Sequence, residues 1–467
     1  MMFADRLTQW PEHTALIHPQ GFMSYAELAE ACDEVAEQLT GSKCLILLVA
    51  DQSMQALVVY LAALRTGQAV MLQPADIQEE SLQQLLELYQ PRWLWRPGMQ
   101  LPQRQAQREP LPPLHPDLAV LLSTSGSTGS PKQVRLSYSN LEANARSIAQ
   151  YLELDDQERP LVHLPLSYSY GLSIVNSHLL VGAALVLCPY SMMERPFWQW
   201  AREQSITSLS GVPFHYEMLE RLHFERICPP SLTCLTQAGG KLTEEKISRW
   251  SEFAEAREMR FIPMYGQTEA TARISYLPWS LVAAYPESIG IPIPGGELQL
   301  WDEQGQPIEG CNQAGELVYR GPNVMMGYAS SRADLSQGPE LEWLHTGDIA
   351  LRNEAGLYCI CGRKKRFIKL FGLRVNLDEV ERWLQRQGWQ LACIGQDQCL
   401  QLALIEAEDD LANVSTRLRQ QLQQQFGFHP SVVHVRLTGP IPLTHAGKTD
   451  YQQLQQLWEA AGDSQTS

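Results

Sequence analysis

The segment best equipped for chemistry is Ser123-Thr-Ser-Gly-Ser-Thr-Gly-Ser-Pro-Lys132. Small residues let a backbone approach an anion closely, successive N–H groups and hydroxyls can ring phosphate oxygens, and Lys132 adds a cation. The loop is no Walker A motif: the second glycine, five positions after Gly126, is replaced by Pro131, and no Ser or Thr follows the lysine. Pro131 also disfavours an immediate helix, so the loop itself must hold the phosphates. Further candidates are Glu269, just past a Tyr-Gly turn in an apolar stretch, Asp348 after Thr346-Gly347, and Lys448 after Gly447 near the C-terminus. A basic run, Arg363-Lys-Lys-Arg366 with Lys369 and Arg374, stands out in an acidic chain. Taken singly, these residues read as a surface carboxylate, a turn residue, a solvated lysine and a solvated charge run.

The elements around them alternate. Met23 to Leu39 has apolar residues at helical spacing with Ser24 as its cap, Lys43 to Ala50 reads as a buried strand, Ser53 to Arg65 as a helix and Ala69 to Gln73 as a strand. This strand–helix–strand order implies a parallel sheet. The pattern returns at Ser139 to Leu152 (helix), Leu161 to Leu164 (strand), Leu172 to Val181 (helix) and Ala184 to Leu187 (strand), and Leu118 to Leu122 is the apolar strand ahead of the glycine loop. After about residue 285 the texture changes to short strands with Gly/Pro turns, as in Ile289 to Gly295 and Gly315 to Arg320. From about residue 366 a small α/β tail is expected, with helices at Leu377 to Arg386 and Leu411 to Phe426, and the Gln-rich stretches within it read as solvated helix faces.

Composition narrows the class. The 467 residues allow two or three domains, and 44% apolar with 19% charged residues fits a folded protein rather than a disordered one. A net charge of −16 makes nucleic acid a poor partner. The longest apolar run, Leu179 to Cys188, is too short to span a bilayer, and the start lacks a signal pattern. The ten cysteines show no paired metal spacing, so buried thiols and a cytoplasmic location are expected.

The motifs, in their order along the chain, resemble the AMP-forming adenylating superfamily: acyl- and aryl-CoA synthetases, stand-alone adenylation domains and luciferases. The glycine loop is followed by Leu164-Pro-Leu-Ser-Tyr-Ser-Tyr-Gly171, Gln237-Ala-Gly-Gly-Lys-Leu242, Met264-Tyr-Gly-Gln-Thr-Glu269 and Gly315-Glu-Leu-Val-Tyr-Arg320. His345-Thr-Gly-Asp348, Gly362-Arg363, Lys369-Leu-Phe-Gly-Leu-Arg374 and Pro442-Leu-Thr-His-Ala-Gly-Lys448 complete the set, which spans nearly the whole chain. The resemblance implies an α/β protein with a large N-terminal domain of parallel-sheet layers and a small β-barrel-like part (1–364), and a small mobile α/β C-terminal domain (365–467). It implies activation of a carboxylic acid by ATP and Mg²⁺ to an acyl-adenylate, pyrophosphate leaving, then transfer to a phosphopantetheine thiol.

By the same resemblance, Thr124, Ser125, Gly126, Ser127, Thr128, Gly129 and Lys132 would hold the β- and γ-phosphates. Thr268 and Glu269 would serve the α-phosphate and the metal. Tyr265 with Gly266 would stack on adenine, Gly239 and Gly240 would offer it flat backbone, and Asp348 and Arg363 would take the ribose hydroxyls. Lys448 would be the catalytic lysine, Lys365 the hinge, and Gly372 part of the thiol-step site, where the basic run would suit the phosphates of coenzyme A or an acidic carrier protein. Tyr168, Ser169 and Gly171 would line the acid pocket. Ser169 stands where amino-acid-activating members carry an aspartate, which argues against an ordinary α-amino acid. Tyr138 and Tyr168 replace histidines common in the family. Asn376-Leu-Asp378 and Lys448-Thr-Asp450 look more like carrier-loading domains than CoA synthetases, so an acyl or peptidyl carrier protein is slightly favoured over CoA. Two rivals stay open: an inactive nucleotide-binding relative, and a P-loop phosphotransferase.

Overall fold

The computed structural model describes residues 2–106, 111–123, 132–370, 373–396, 398–406, 410–443 and 449–463. The chain divides into two compact units, Met1–Leu298 with Tyr319–Leu344, and Gln299–Val318 with His345–Ser467. This division concerns packing. The expected hinge at Lys365 concerns motion instead.

In the first unit, a seven-stranded sheet runs in the order Gly327–Ala329, Gln133–Ser137, Leu118–Ser123, Ala69–Pro74, Leu45–Ala50, Trp93–Trp95, Gln103–Arg104. Of its five inner strands, Leu118–Ser123, Ala69–Pro74, Leu45–Ala50 and Trp93–Trp95 run parallel, while Gln133–Ser137 and both edge strands pair antiparallel with their neighbours. The parallel strands are near-continuous apolar runs because helices cover both faces: Leu45–Ala50 is buried at every position. The helix Tyr25–Gln38 starts where its sequence dictates, with Ser24 accepting from the Glu27 N–H and the Glu27 carboxylate accepting from the Ser24 N–H.

A second sheet places Ser208–Gly211, Cys234–Gln237 and Arg260–Tyr265 in parallel, followed by antiparallel Ser275–Tyr276 and Ile291–Pro292. A third, four-stranded sheet joins Thr14–His18 to Leu185–Leu187. In such sheets ligands bind beyond the carboxyl ends of the strands. The glycine loop follows Leu118–Ser123, Gly239 and Gly240 follow Cys234–Gln237, and Tyr265 ends Arg260–Tyr265.

Two helices matter most for the site. Tyr138–Tyr151 packs along Ser169–Val181, which begins three residues before the expected Leu172 and so carries Ser169, Tyr170 and Gly171 in its first turn. Its sequence from Ser169 to Leu180 is buried throughout.

The second unit contains most of a four-stranded sheet whose last two strands, Leu344–Arg352 and Tyr358–Arg363, pair antiparallel. It also contains a three-stranded sheet, Leu391–Gln396, Cys399–Leu404 and Val433–Leu437, with the helices Leu377–Arg386 and Leu411–Phe426 packed on an apolar core that includes Val380, Leu384, Leu402 and Leu418. The ten cysteines are free thiols. Among the described residues no helix is long and apolar enough to cross a membrane.

Candidate active site

In the first unit the strand Arg260–Tyr265 runs into a tight turn carrying Thr268 and Glu269. Asn323, buried at 1% exposure, straps this turn: its Nδ2 donates to the carbonyls of Ala270 and Arg273, both at 2.8 Å. The Asn323 Oδ1 accepts from the Tyr319 hydroxyl at 2.7 Å, and its carbonyl accepts from Thr271 Oγ1 at 2.7 Å. The turn needs this support because Thr271, a β-branched residue, sits at φ +66°, a conformation that surrounding structure must over-determine.

The Glu269 carboxylate accepts at Oε1 from the Tyr328 hydroxyl at 2.9 Å, and Lys132 Nζ lies 3.5 Å from the centroid of the Tyr328 ring. One tyrosine therefore connects the lysine of the glycine loop to the carboxylate of the Thr-Glu pair. Burial pushes the Tyr328 hydroxyl upward, and Glu269 adds to the shift, so the phenol stays protonated and acts as a donor. The edge strand Gly327–Ala329 holds Tyr328 by pairing it with Val134, two residues after Lys132. Among the described residues no cluster of three His, Cys, Asp or Glu side chains could hold a metal. A Mg²⁺ here would take Glu269 and draw its other ligands from phosphate oxygens and water, a usual arrangement for that ion.

Ser169 Oγ lies 3.3 Å from Thr268 Oγ1, which brings the expected acid pocket against the Thr-Glu turn. The next residue, Tyr170, donates into or accepts from a hydroxyl chain: its OH is 2.9 Å from Thr236 Oγ1, itself 2.8 Å from Ser210 Oγ. The Tyr168 hydroxyl abuts the α-carbon of Gly239, which adopts φ +80°, so a side chain at 239 is opposed by both space and backbone. Gly171 faces the carbonyls of Leu164 and Pro165, which gives that glycine a packing reason of its own. Tyr265 is half-buried, and Gly266 and Gly240 lie at the same strand ends. Tyr138 joins a structural network, donating to the Gln68 carbonyl at 2.8 Å and accepting from Lys43 at 3.0 Å.

In the second unit Asp348 and Arg363 are directly paired across two strands, with Arg363 Nε 3.4 Å from Asp348 Oδ1. The Asp348 N–H is accepted by Thr346 Oγ1, which donates to the Leu317 carbonyl. The Asp348 side chain is largely enclosed while Arg363 is more than half exposed, so the pair presents one fixed carboxylate beside one adjustable guanidinium. The basic run departs from expectation. Lys364 pairs with Glu316 at 2.7 Å, and Arg366 is buried between Asp378 and Glu381, so these two cations balance internal carboxylates rather than facing an outside phosphate. Lys365 lies in the single 3₁₀ turn Lys364–Arg366, and nothing is described of its side chain. Thr124, Ser125, Gly126, Ser127, Thr128, Gly129, Gly372 and Lys448 lie outside the described residues.

Sequence reasoning missed Asn323, Tyr328 and Arg273. Only Asn323-Val-Met-Met-Gly-Tyr328, polar residues flanking an apolar stretch, hinted at the first two.

The family described as AMP-binding enzyme matches residues 3–329. The chain belongs to that family. It is 27% identical over 443 residues to tyrocidine synthase 2 of Brevibacillus parabrevis, covering 88% of this chain and 12% of that one. It is 32% identical over 274 residues to oxalate–CoA ligase of Arabidopsis thaliana, covering 57% of this chain and 52% of the relative. The chain thus spans about half or less of the length of these curated relatives. Among solved structures, o-succinylbenzoate CoA synthetase from Bacillus subtilis in complex with its acyl-adenylate intermediate superposes with a TM-score of 0.78 at 22% identity, covering 97% of each chain. That likeness establishes the adenylating-enzyme fold.

Proposed function

We propose that this AMP-binding family member activates a carboxylic acid with ATP and then passes the acyl group to a phosphopantetheine thiol. The observation that carries the reading is the Lys132–Tyr328–Glu269 constellation with Ser169 and Thr268 beside it. A carboxylate oxygen attacks the α-phosphorus, the bond to the bridging oxygen breaks, and pyrophosphate leaves. Attack of anion on anion requires charge neutralisation and in-line positioning. Lys132 supplies a cation at the end of the glycine loop, Thr268 a hydroxyl near the α-phosphate, and Glu269 a carboxylate oxygen for Mg²⁺, which when bound offsets phosphate charge. The thiol then attacks the acyl carbonyl and AMP departs.

Asp348 and Arg363 supply the ribose contacts in this reading, Tyr265 and Gly266 the adenine stack, and Gly239 with Gly240 the backbone beneath it. Thr124 to Gly129 hold the outer phosphates and Lys448 meets the reacting carboxylate. A small C-terminal domain beginning at Lys365 rotates between the two steps, bringing Gly372 to the thiol. A carrier protein is favoured slightly over CoA: Leu377 stands where CoA synthetases tend to have proline, and Thr449 and Asp450 rather than basic residues follow Lys448. A cytoplasmic setting fits the free thiols.

The test is acid-dependent ATP–pyrophosphate exchange across fatty, aryl, hydroxy and amino acids, with CoA or holo-carrier protein added to the best acid. Lys448→Ala should suppress exchange by orders of magnitude, and AMP with pyrophosphate should be the products. ADP as product, or exchange untouched in Lys448→Ala, sinks the reading.

A further inference from the structure

The turn that carries Thr268 and Glu269 meets the helix Ser169–Val181 at two points. One is the 3.3 Å approach of Thr268 Oγ1 to Ser169 Oγ. The other is Arg273, whose guanidinium lies 4.0 Å from the centroid of the Tyr170 ring. Ser169 and Tyr170 are the first two residues of the helix. The two contacts bracket Glu269 along the chain and end on adjacent residues.

Arg273 is 2% exposed, and no described carboxylate pairs with it. A ring face attracts a cation without cancelling its charge, and enclosing a charge is costly unless it is compensated. The Tyr151 hydroxyl stands beside the guanidinium and donates to Met264 Sδ at 2.9 Å, which leaves its oxygen lone pairs for the cation. The cavity beside Arg273, lined also by Glu158 and His178, has about 10 Å³. That is room for about one water and not for a substrate. The guanidinium therefore acts on residues of the chain, and Tyr170 is the one that leads to the site.

Both ends of the Arg273–Tyr170 contact are anchored. The Arg273 carbonyl accepts from Asn323 Nδ2 at 2.8 Å, and the Ile274 N–H donates to the Tyr265 carbonyl at 2.9 Å, so the backbone under the side chain is fixed. The Tyr170 hydroxyl is 2.9 Å from Thr236 Oγ1, on the strand that leads to Gly239 and Gly240.

Resting on the acid-activation reading, we propose that Arg273 is a positioning residue. By holding Tyr170 it keeps the first turn of the helix Ser169–Val181 in register with the Thr268–Glu269 turn, so that the acid carboxylate and the α-phosphate meet in line. A misplacement of about 1 Å between reacting groups costs about 100-fold in rate. Once acid and phosphate are joined in one molecule, that register no longer has to be held.

The experiment uses the full chain with the acid that best supports ATP–pyrophosphate exchange. It measures two steps separately: exchange, and transfer to the accepting thiol from acyl-adenylate supplied ready-made. Arg273→Leu should lower the kcat of exchange by about 10- to 100-fold, with transfer kept within about two-fold of wild type. KM for acid and ATP should move little, as for an interaction used in the transition state rather than in binding. Arg273→Lys, which keeps a cation over the ring, should recover part of the exchange. Tyr170→Leu should imitate Arg273→Leu, and the double variant should be no slower than the slower single one, since both remove the same contact. Exchange at wild-type speed in Arg273→Leu, equal losses in both steps, or losses that multiply in the double variant overturn the inference. Should Arg273→Leu not fold, Arg273→Lys and Tyr170→Leu carry the same two-step comparison. Failure confined to these variants' behaviour removes only this inference, whereas no exchange by the wild type with any acid removes acid activation and this inference with it.

Discussion

Arg366 and Arg273 are both enclosed, at 7% and 2% exposure, yet their surroundings are opposite. Arg366 lies between Asp378 and Glu381, donates to the Cys393 carbonyl at 2.7 Å and faces the Tyr451 ring at 3.6 Å. Glu381 is itself completed by the Cys393 N–H and the Tyr451 hydroxyl, both at 2.7 Å. Arg273 has an aromatic face and a hydroxyl, and no described carboxylate. The difference teaches that burial alone does not define a cation's role: the first is matched by carboxylates within the chain, the second is met by a ring face and a hydroxyl.

The sharpest way to break this contrast is stability. Arg366→Met removes one member of a closed network and strands two carboxylates, so urea unfolding should show a loss of about 3–5 kcal/mol. Arg273→Met removes a charge that no described carboxylate pairs with, and should leave stability unchanged or raise it slightly. Equal losses would mean that Arg273 is structural, and the contrast would fall.

Asn323→Ala comes next. It strips partners from the Ala270 and Arg273 carbonyls, at a cost of about 1–3 kcal/mol, and loosens the turn that holds Thr271 in its strained conformation. Exchange should fall further than stability alone explains, measured below the variant's melting range.

Tyr328→Phe keeps the ring beneath Lys132 but deletes the donor to Glu269. The expected effect is about 1 kcal/mol, read as a several-fold shift in the Mg²⁺ concentration that supports half-maximal exchange.

The smallest effect concerns Glu316, again in a matched network. Burial pushes its carboxyl upward, but hydrogen bonds from Lys364 and His345 outweigh that, and the net shift is downward from 4.5. A lowered folded-state pKa contributes stability that is present above the ordinary carboxylate value and lost as pH falls below about 4.5 through the folded value. Glu316→Gln should therefore flatten the acid limb of a stability–pH curve and matter less toward its acid end, where the wild-type carboxylate is protonated too.

Legibility followed how local each signal was. The helices Leu377–Arg386 and Leu411–Phe426 and the strand Gly315–Arg320 lie where periodicity places them, since the residues that create the pattern are those that bury it. The helix Ser169–Val181 starts earlier than its apolar spacing suggests because Ser169, Tyr170 and Gly171 face polar partners and backbone rather than a hydrophobic core. The basic run looked uniform, but Arg366 meets carboxylates 12 and 15 positions away while Arg363 meets Asp348.

By itself the chain's order of residues determined the alternating elements, the glycine loop between strand and lysine, and the Thr268–Glu269 and Asp348 positions, because short-range spacing and chain order carry all of these. Only the tertiary structure decided that Tyr328 joins Lys132 to Glu269, that Asn323 holds the Thr271 turn, and that Arg273 is buried against the Tyr170 ring. Contacts across 50 or more positions, as from Asn323 to Arg273, depend on which strand ends the sheets bring together, and no local pattern encodes that.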